Sequence, residues 1–145
     1  MSLFSSLDVS ASGMAAQRTR AELLVENLAN AETTRTPEGG PYRRKDVVFS
    51  ADSSVGSFSS ELSSALGGNA AGVSVSETVV DTREPERRYL PGHPDADKDG
   101  YVAFPRINPA EDMVDLLGAS RSYEANVAAM SAVKDMIQKS LDLFR

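Results

Sequence analysis

The 145-residue sequence has no cysteine, no tryptophan and one histidine. Without cysteine there are no disulfides, thiol nucleophiles, thiolate zinc sites or iron–sulfur clusters, and the redox compartment is left open. One histidine excludes a metal site of two histidines and a carboxylate within a single chain. Aromatic residues make up only 6%, so the core must come from Leu, Val, Met and Ala, which favours packed helices over an aromatic-rich sandwich. Positive charge is scarce: 15 Lys and Arg stand against 21 Asp and Glu, a net charge of −6, with a pI near 4.8. That balance argues against a nucleic-acid partner. No apolar run approaches the ~18–20 residues of a membrane span, so no transmembrane segment is expected. The N-terminus lacks the basic and apolar regions of a secretory signal. Gly39-Gly40 and Gly67-Gly68 lack the following Lys-Ser/Thr of a phosphate loop, and no cofactor is expected. At ~100–200 residues per domain, the length allows one domain with extensions.

Three regions separate by composition: residues 1–34, Ala- and Leu-rich; residues 35–107, rich in Pro, Gly and Ser; and residues 108–145, strongly periodic. In the first, Leu7, Met14, Ala21 and Leu28 recur every seventh residue, with Leu24 and Ala31 between them and Ala11 and Val25 widening the stripe, the pattern of a long amphipathic helix. In the last, Leu116, Tyr123, Met130, Ile137 and Phe144 form one heptad series and Met113, Ser120, Val127, Lys134 and Leu141 its partner. Asn108 is placed as an N-cap, with Pro109 at the first helical position and Glu111 at N3. At ~1.5 Å per residue this helix is roughly 50 Å long. A compact domain of this size has a radius of gyration of about 15 Å, so the helix must project or find a partner, and the N-terminal helix is the simplest one. The expected fold is mainly α with a small β element: two long terminal helices paired as an antiparallel coiled coil around a short-stranded middle. Val47–Phe49, Val73–Val80 and Tyr101–Phe104 read as strands. Residues 50–72 read as a mobile Ser/Gly-rich loop, with a helical turn around Leu62–Leu66.

The stretch Asp95-Ala96-Asp97-Lys98-Asp99-Gly100 matches the opening of a calcium loop, but its closing ligand position holds Arg106, preceded by Pro105, and no helices flank it. A carboxylate-rich turn into the next strand is the simpler reading. His93, in Pro91-Gly92-His93-Pro94, reads as a turn residue. Arg43-Arg44-Lys45 and the mixed run Arg83–Arg88 read as a solvated basic face able to steer an acidic partner.

The segments Ser12-Gly13-Met14-Ala15-Ala16-Gln17 with Arg20 and Glu26-Asn27-Leu28-Ala29-Asn30-Ala31-Glu32-Thr33 closely resemble the N-terminal signature of bacterial flagellar rod and hook proteins. Glu111-Asp112-Met113-Val114, Leu117, Ala119-Ser120-Arg121-Ser122-Tyr123-Glu124-Ala125-Asn126-Val127 and Lys134 resemble the matching C-terminal helix. Thr36–Arg44, Tyr89–Asp97 and Gly100-Tyr101-Val102 are similar to the proximal-rod members, so the resemblance spans nearly the whole chain. It implies a structural, non-enzymatic subunit of the basal body, polymerised into a hollow rod around an export channel and transmitting torque for motility. The implied partners are other rod proteins, copies of itself, the inner-membrane ring with its rod adaptor, and the type III export apparatus that carries it out of the cytoplasm to the rod. The implied assembly interface comprises Leu7, Met14, Leu24, Asn27, Leu28 and Asn30 on the first helix, and Met113, Leu116, Tyr123, Asn126, Val127, Met130, Ile137, Leu141 and Phe144 on the second. Two other readings of the residues are a soluble coiled-coil adaptor and a calcium-regulated module using Asp95, Asp97 and Asp99.

Overall fold

The computed structural model describes residues 3–52 and 72–143. Helix α1 spans Leu3–Ala29, strands β1 Lys45–Asp52, β2 Gly72–Val80, β3 Glu86–Tyr89 and β4 Tyr101–Phe104 follow, and helix α2 spans Pro109–Asp142. The chain is thus mainly helical with a small β element. The expected turn at Leu62–Leu66 lies outside the described residues, as does Phe144.

The start of α2 forms as its residues dictate. Asn108 is extended at the N-cap, its side chain accepts from the Ala110 N–H, and Pro109 follows. Glu111 and Asp112 lie in the first turn and Lys139 in the last, the charge distribution that suits the helix dipole. The two helices pack side by side and run antiparallel: Gly13 meets Asn126, and Arg20 reaches Asp115 nearer the start of α2. With 34 residues against 27, α2 outruns α1.

β1 and β2 pair antiparallel from Lys45↔Val80 to Asp52↔Gly72, with an irregularity between Val48 and Phe49. Both strands also pack on α1, and the Val73 N–H donates to Ser12 Oγ at 3.1 Å. Of the expected loop 50–72, the first three residues belong to β1 and Gly72 to β2, and residues 53–71 lie outside the described residues. β3 and β4 form a second antiparallel pair, Glu86↔Phe104 to Tyr89↔Tyr101. β3 is a strand the sequence reading placed within a charged run. All four of its residues are exposed, so it is held by ladder hydrogen bonds and by the cross-strand ring contacts of Tyr89 with Tyr101 and Arg88 with Phe104.

The core is thin, as a short-chain, aromatic-poor composition requires. Among the described residues the buried apolar ones include Ala16 and Leu24 on α1, Tyr42, Val102 and Phe104 in the chain that connects the two helices, and Ala119 and Val133 on α2. The expected helical stripes need correction here. Ala11 and Val25 are exposed, while Ser10, Ala16 and Asn27 are buried beside Leu24. On α2 the buried series is Asp112, Ala119 and Val133, with Asn126 in the same heptad position. The expected partner series Met113, Ser120, Val127, Lys134 and Leu141 is exposed. Arg44 opposite Asp112 and Gly13 opposite Asn126 bring these polar residues inward, which an apolar count overlooks.

Candidate assembly surface

The last turns of α1 are fastened to the start of β1 by a hydrogen-bonded knot. Asn27 has no exposed surface. Its Nδ2 donates to the Lys45 carbonyl at 2.8 Å, and its Oδ1 accepts from the Lys45 N–H and the Tyr42 hydroxyl, both at 3.0 Å. Lys45 Nζ also reaches Glu26 Oε1 at 2.6 Å. Burial, with the nearby Glu26 charge, pushes the Tyr42 hydroxyl up to about 12, so it remains a donor across the neutral range.

A second fastening joins the start of β1 to the start of α2. Arg44 Nη2 lies 3.0 Å from Asp112 Oδ1 and Arg44 Nε 3.3 Å from Asp46. The Arg44–Asp112 contact is off hydrogen-bond alignment, and neither Asp112 oxygen has a hydrogen-bond partner among the described residues. Burial raises the Asp112 carboxyl above its ordinary range, outweighing the opposing Arg44 charge. Gln17 Oε1 is likewise buried without a partner among these residues.

The calcium-like stretch is a turn in this structure. Asp97 Oδ1 accepts from the N–H groups of Asp99 (3.0 Å) and Tyr101 (2.8 Å). Asp95 accepts from Thr34 Oγ1 at 2.8 Å and pairs with Arg35, tying the turn to the segment after α1. His93 Nδ1 accepts from the Asp95 N–H, and its ring packs edge-on against Phe104. Among the described residues, no group of three or more His, Asp or Glu is arranged to hold a metal.

The sequence-assigned interface residues divide into two sets. Leu24 and Asn27 are buried within the chain, and Leu7, Met14, Leu28, Asn30, Leu116, Asn126, Met130 and Ile137 are half-buried. Asn30 Nδ2 donates to the Glu26 carbonyl and its Oδ1 accepts from Thr33, closing the end of α1. Met113, Tyr123, Val127 and Leu141 are exposed. They share the outside of α2 with Val114 and Leu117, which are 67% and 60% exposed and which the sequence reading did not include. Leu116, Leu117, Ala119 and Tyr123 line one side of a shallow groove whose other side is Gln17, Arg18 and Ala21 of α1. These large apolar side chains of one helix are open to contact with a partner. The residue that could have oriented α2 is Gly13 of α1, which faces Asn126, while Leu117 remains 60% exposed.

Comparison with known proteins adds a second line. The family described as flagellar basal body rod FlgEFG protein C-terminal matches residues 98–143. Over 99% of both chains, the sequence is 47% identical to the flagellar basal-body rod protein FlgC of Bacillus subtilis. It is 38% identical to FlgC of Borreliella burgdorferi, covering 100% of this chain and 99% of that one. It is also 38% identical to FlgC of Salmonella typhimurium, covering 99% and 98%.

Proposed function

The chain belongs to the FlgC family of flagellar basal-body rod proteins, and on that premise we propose that it is a proximal-rod subunit built into a hollow shaft. Residues 1–34 and 108–145 form the assembly segment, wound as an antiparallel coiled coil near the central channel, and residues 35–107 face outward. The rod so formed carries torque and surrounds the export path, and motility depends on it. Neighbouring rod proteins, further copies of the chain and the inner-membrane ring with its adaptor are the contacts, and the flagellar type III apparatus delivers the subunit. Its role is structural, with no catalytic step.

The observation that carries this reading beyond family membership is the unpartnered apolar surface of α2. Val114, Leu117 and Leu141 lie outside the helix pair, and a helix of this length gains most of its remaining burial from neighbours. Each large apolar side chain removed from water contributes about 1.5–3 kcal/mol. Half-buried Leu7, Met14, Leu28, Leu116, Met130 and Ile137 hold the pair together, and Met113, Tyr123, Val127, Leu141 and Phe144 meet adjoining subunits. Deleting the gene in its own bacterium and isolating basal bodies tests the reading. It requires basal bodies that stop at the inner-membrane ring and cells that do not swim, both restored by the intact gene. Complete rods in the deletion strain would overturn it.

A further inference from the structure

The two basic runs that the sequence keeps apart meet in the fold. The Asp81 N–H donates to the Arg44 carbonyl at 2.8 Å, and Arg43 Nη1 donates to the Asp81 carbonyl at 3.3 Å, so the chain leaving β2 lies against the chain entering β1. Between them opens a cleft of about 100 Å³ whose walls carry Arg43, Arg44, Arg83 and Arg106. Pro41, Pro85 and Pro105 complete its rim. Their fixed φ angles leave little backbone to order when a ligand enters.

Two of the four arginines are already neutralised and two are not. Arg44 is paired with Asp112 and Asp46, and Arg83 grips Asp81 in a fork of 2.6–2.9 Å contacts. Arg43 contacts only a carbonyl, and Arg106 has no hydrogen bond or ion pair among the described residues. The charge of Arg106 nevertheless reaches the cleft. The Arg83 side chain and backbone N–H hold the Asp81 carboxyl down to about 2, with Arg106 adding to the effect, and Arg106 also adds to the lowering of Glu86 caused chiefly by Arg88.

We propose that this cleft is a carboxylate-binding site that receives an acidic side chain of a neighbouring subunit in the rod. A cleft of about 100 Å³ open to solvent admits a small planar anion such as a carboxylate. Guanidinium groups match the planar carboxylate. A chain of net charge −6 approaching another copy of itself also needs a place where its cations are concentrated to set orientation. The proposal rests on the rod reading for the identity of the occupant and not for the chemistry of the site.

The test uses the purified full chain and two probes, a hexaglutamate peptide and inorganic phosphate, titrated by calorimetry at low and at physiological salt. Arg43→Gln and Arg106→Gln remove exposed, unneutralised cations and leave the fold intact, as unchanged thermal unfolding will verify; Arg121→Gln, on the exposed face of α2, is the control. Saturable peptide binding is expected, weakened about tenfold by either cleft variant, weakened by salt and unchanged in the control. Equal loss in all three variants means diffuse attraction and overturns the site. Binding of phosphate without the peptide overturns the protein occupant, and binding of neither probe overturns the proposal. If the peptide binds but the chain is missing from isolated basal bodies, the rod reading and its assignment of the occupant fail while the carboxylate site stands. If the chain is in the rod and the peptide does not bind, the cleft proposal alone fails.

Discussion

The side chain of Asn27 pairs with the backbone of Lys45 on both sides, donating to its carbonyl at 2.8 Å and accepting from its N–H at 3.0 Å. A helix residue thus takes the place of a neighbouring strand at the first residue of β1. The Tyr42 hydroxyl shares the same acceptor oxygen, so the last turns of α1, the connecting segment and β1 are fixed together.

Asn27→Leu removes all three hydrogen bonds and strands buried polar groups. The expected loss is about 3 kcal/mol, at ~1 kcal/mol per bond plus the desolvation of orphaned groups, read as a lower urea midpoint. Tyr42→Phe deletes one bond and should cost about 1 kcal/mol. It should also remove a pH dependence. The Tyr42 hydroxyl is raised from about 10 to about 12 in the folded chain, so its contribution is complete below pH 10 and is lost as pH rises toward 12.

At Gly13 the helices approach closely enough that a Cβ would lie 3.1 Å from Asn126 Nδ2. Gly13→Leu forces the pair apart and is expected to destabilise by about 1–3 kcal/mol. Gly13→Ala combined with Asn126→Ala makes room for the added methyl, and the double variant should be more stable than the sum of the two single changes. Thermal unfolding of these four variants beside the unsubstituted chain checks both statements.

Arg44→Met leaves the buried Asp112 carboxylate without its cation. At neutral pH the expected cost is about 3–5 kcal/mol. Asp112 is raised above its ordinary range in the folded chain, so the folded state holds that proton more tightly than the unfolded one. Its favourable contribution is complete below the unfolded carboxylate range and is lost as pH rises through the folded value. Removing Arg44 raises that value further, so the deficit of Arg44→Met should shrink as the solution is acidified. Asp112→Asn in the same background should abolish this pH dependence, as measured by unfolding between pH 4 and pH 8 (roughly the window set by ordinary and raised carboxylates).

Gly100 combines φ +81° with a built-in close contact, since a Cβ there would sit 2.9 Å from the Tyr89 ring and 3.2 Å from Pro91 Cβ. Gly100→Ala should cost about 1–3 kcal/mol through the left-handed backbone and the crowding. NMR shifts of Tyr89 and Tyr101, whose rings pack edge-on with centroids 5.4 Å apart, would register the disturbance. The same substitution at Gly92, which has no neighbour within 4 Å of an added Cβ, should leave those shifts in place.

Residues whose role is local were legible in the sequence. Asn108 and Pro109 mark the start of α2 because capping depends on adjacent atoms, and Val73–Val80 announces β2 by alternation. Residues whose role depends on a distant partner were not. Asp112 belongs to the inner series of α2 only because Arg44 lies opposite, and Gly13 is required by Asn126. Arg87 and Arg88 give no apolar period, so β3 becomes visible only once Tyr101–Phe104 lies beside it. For the interface, the sequence puts Val127 and Leu141 on a stripe with Ser120 and Lys134, and Tyr123 on the series of Leu116, Met130 and Ile137, yet all three are exposed on the helix.

The central claim is that the outer face of α2 joins the chain to its neighbours in the rod, and Leu117→Asp tests it most directly. Leu117 is 60% exposed, so the isolated chain should unfold at an unchanged temperature. The same substitution places an unpaired charge in a subunit contact, at a cost of several kcal/mol. Quantifying the chain in basal bodies isolated from cells that carry only this variant should show it missing, with rods incomplete. Normal rods containing the usual amount of Leu117→Asp chain would contradict the account.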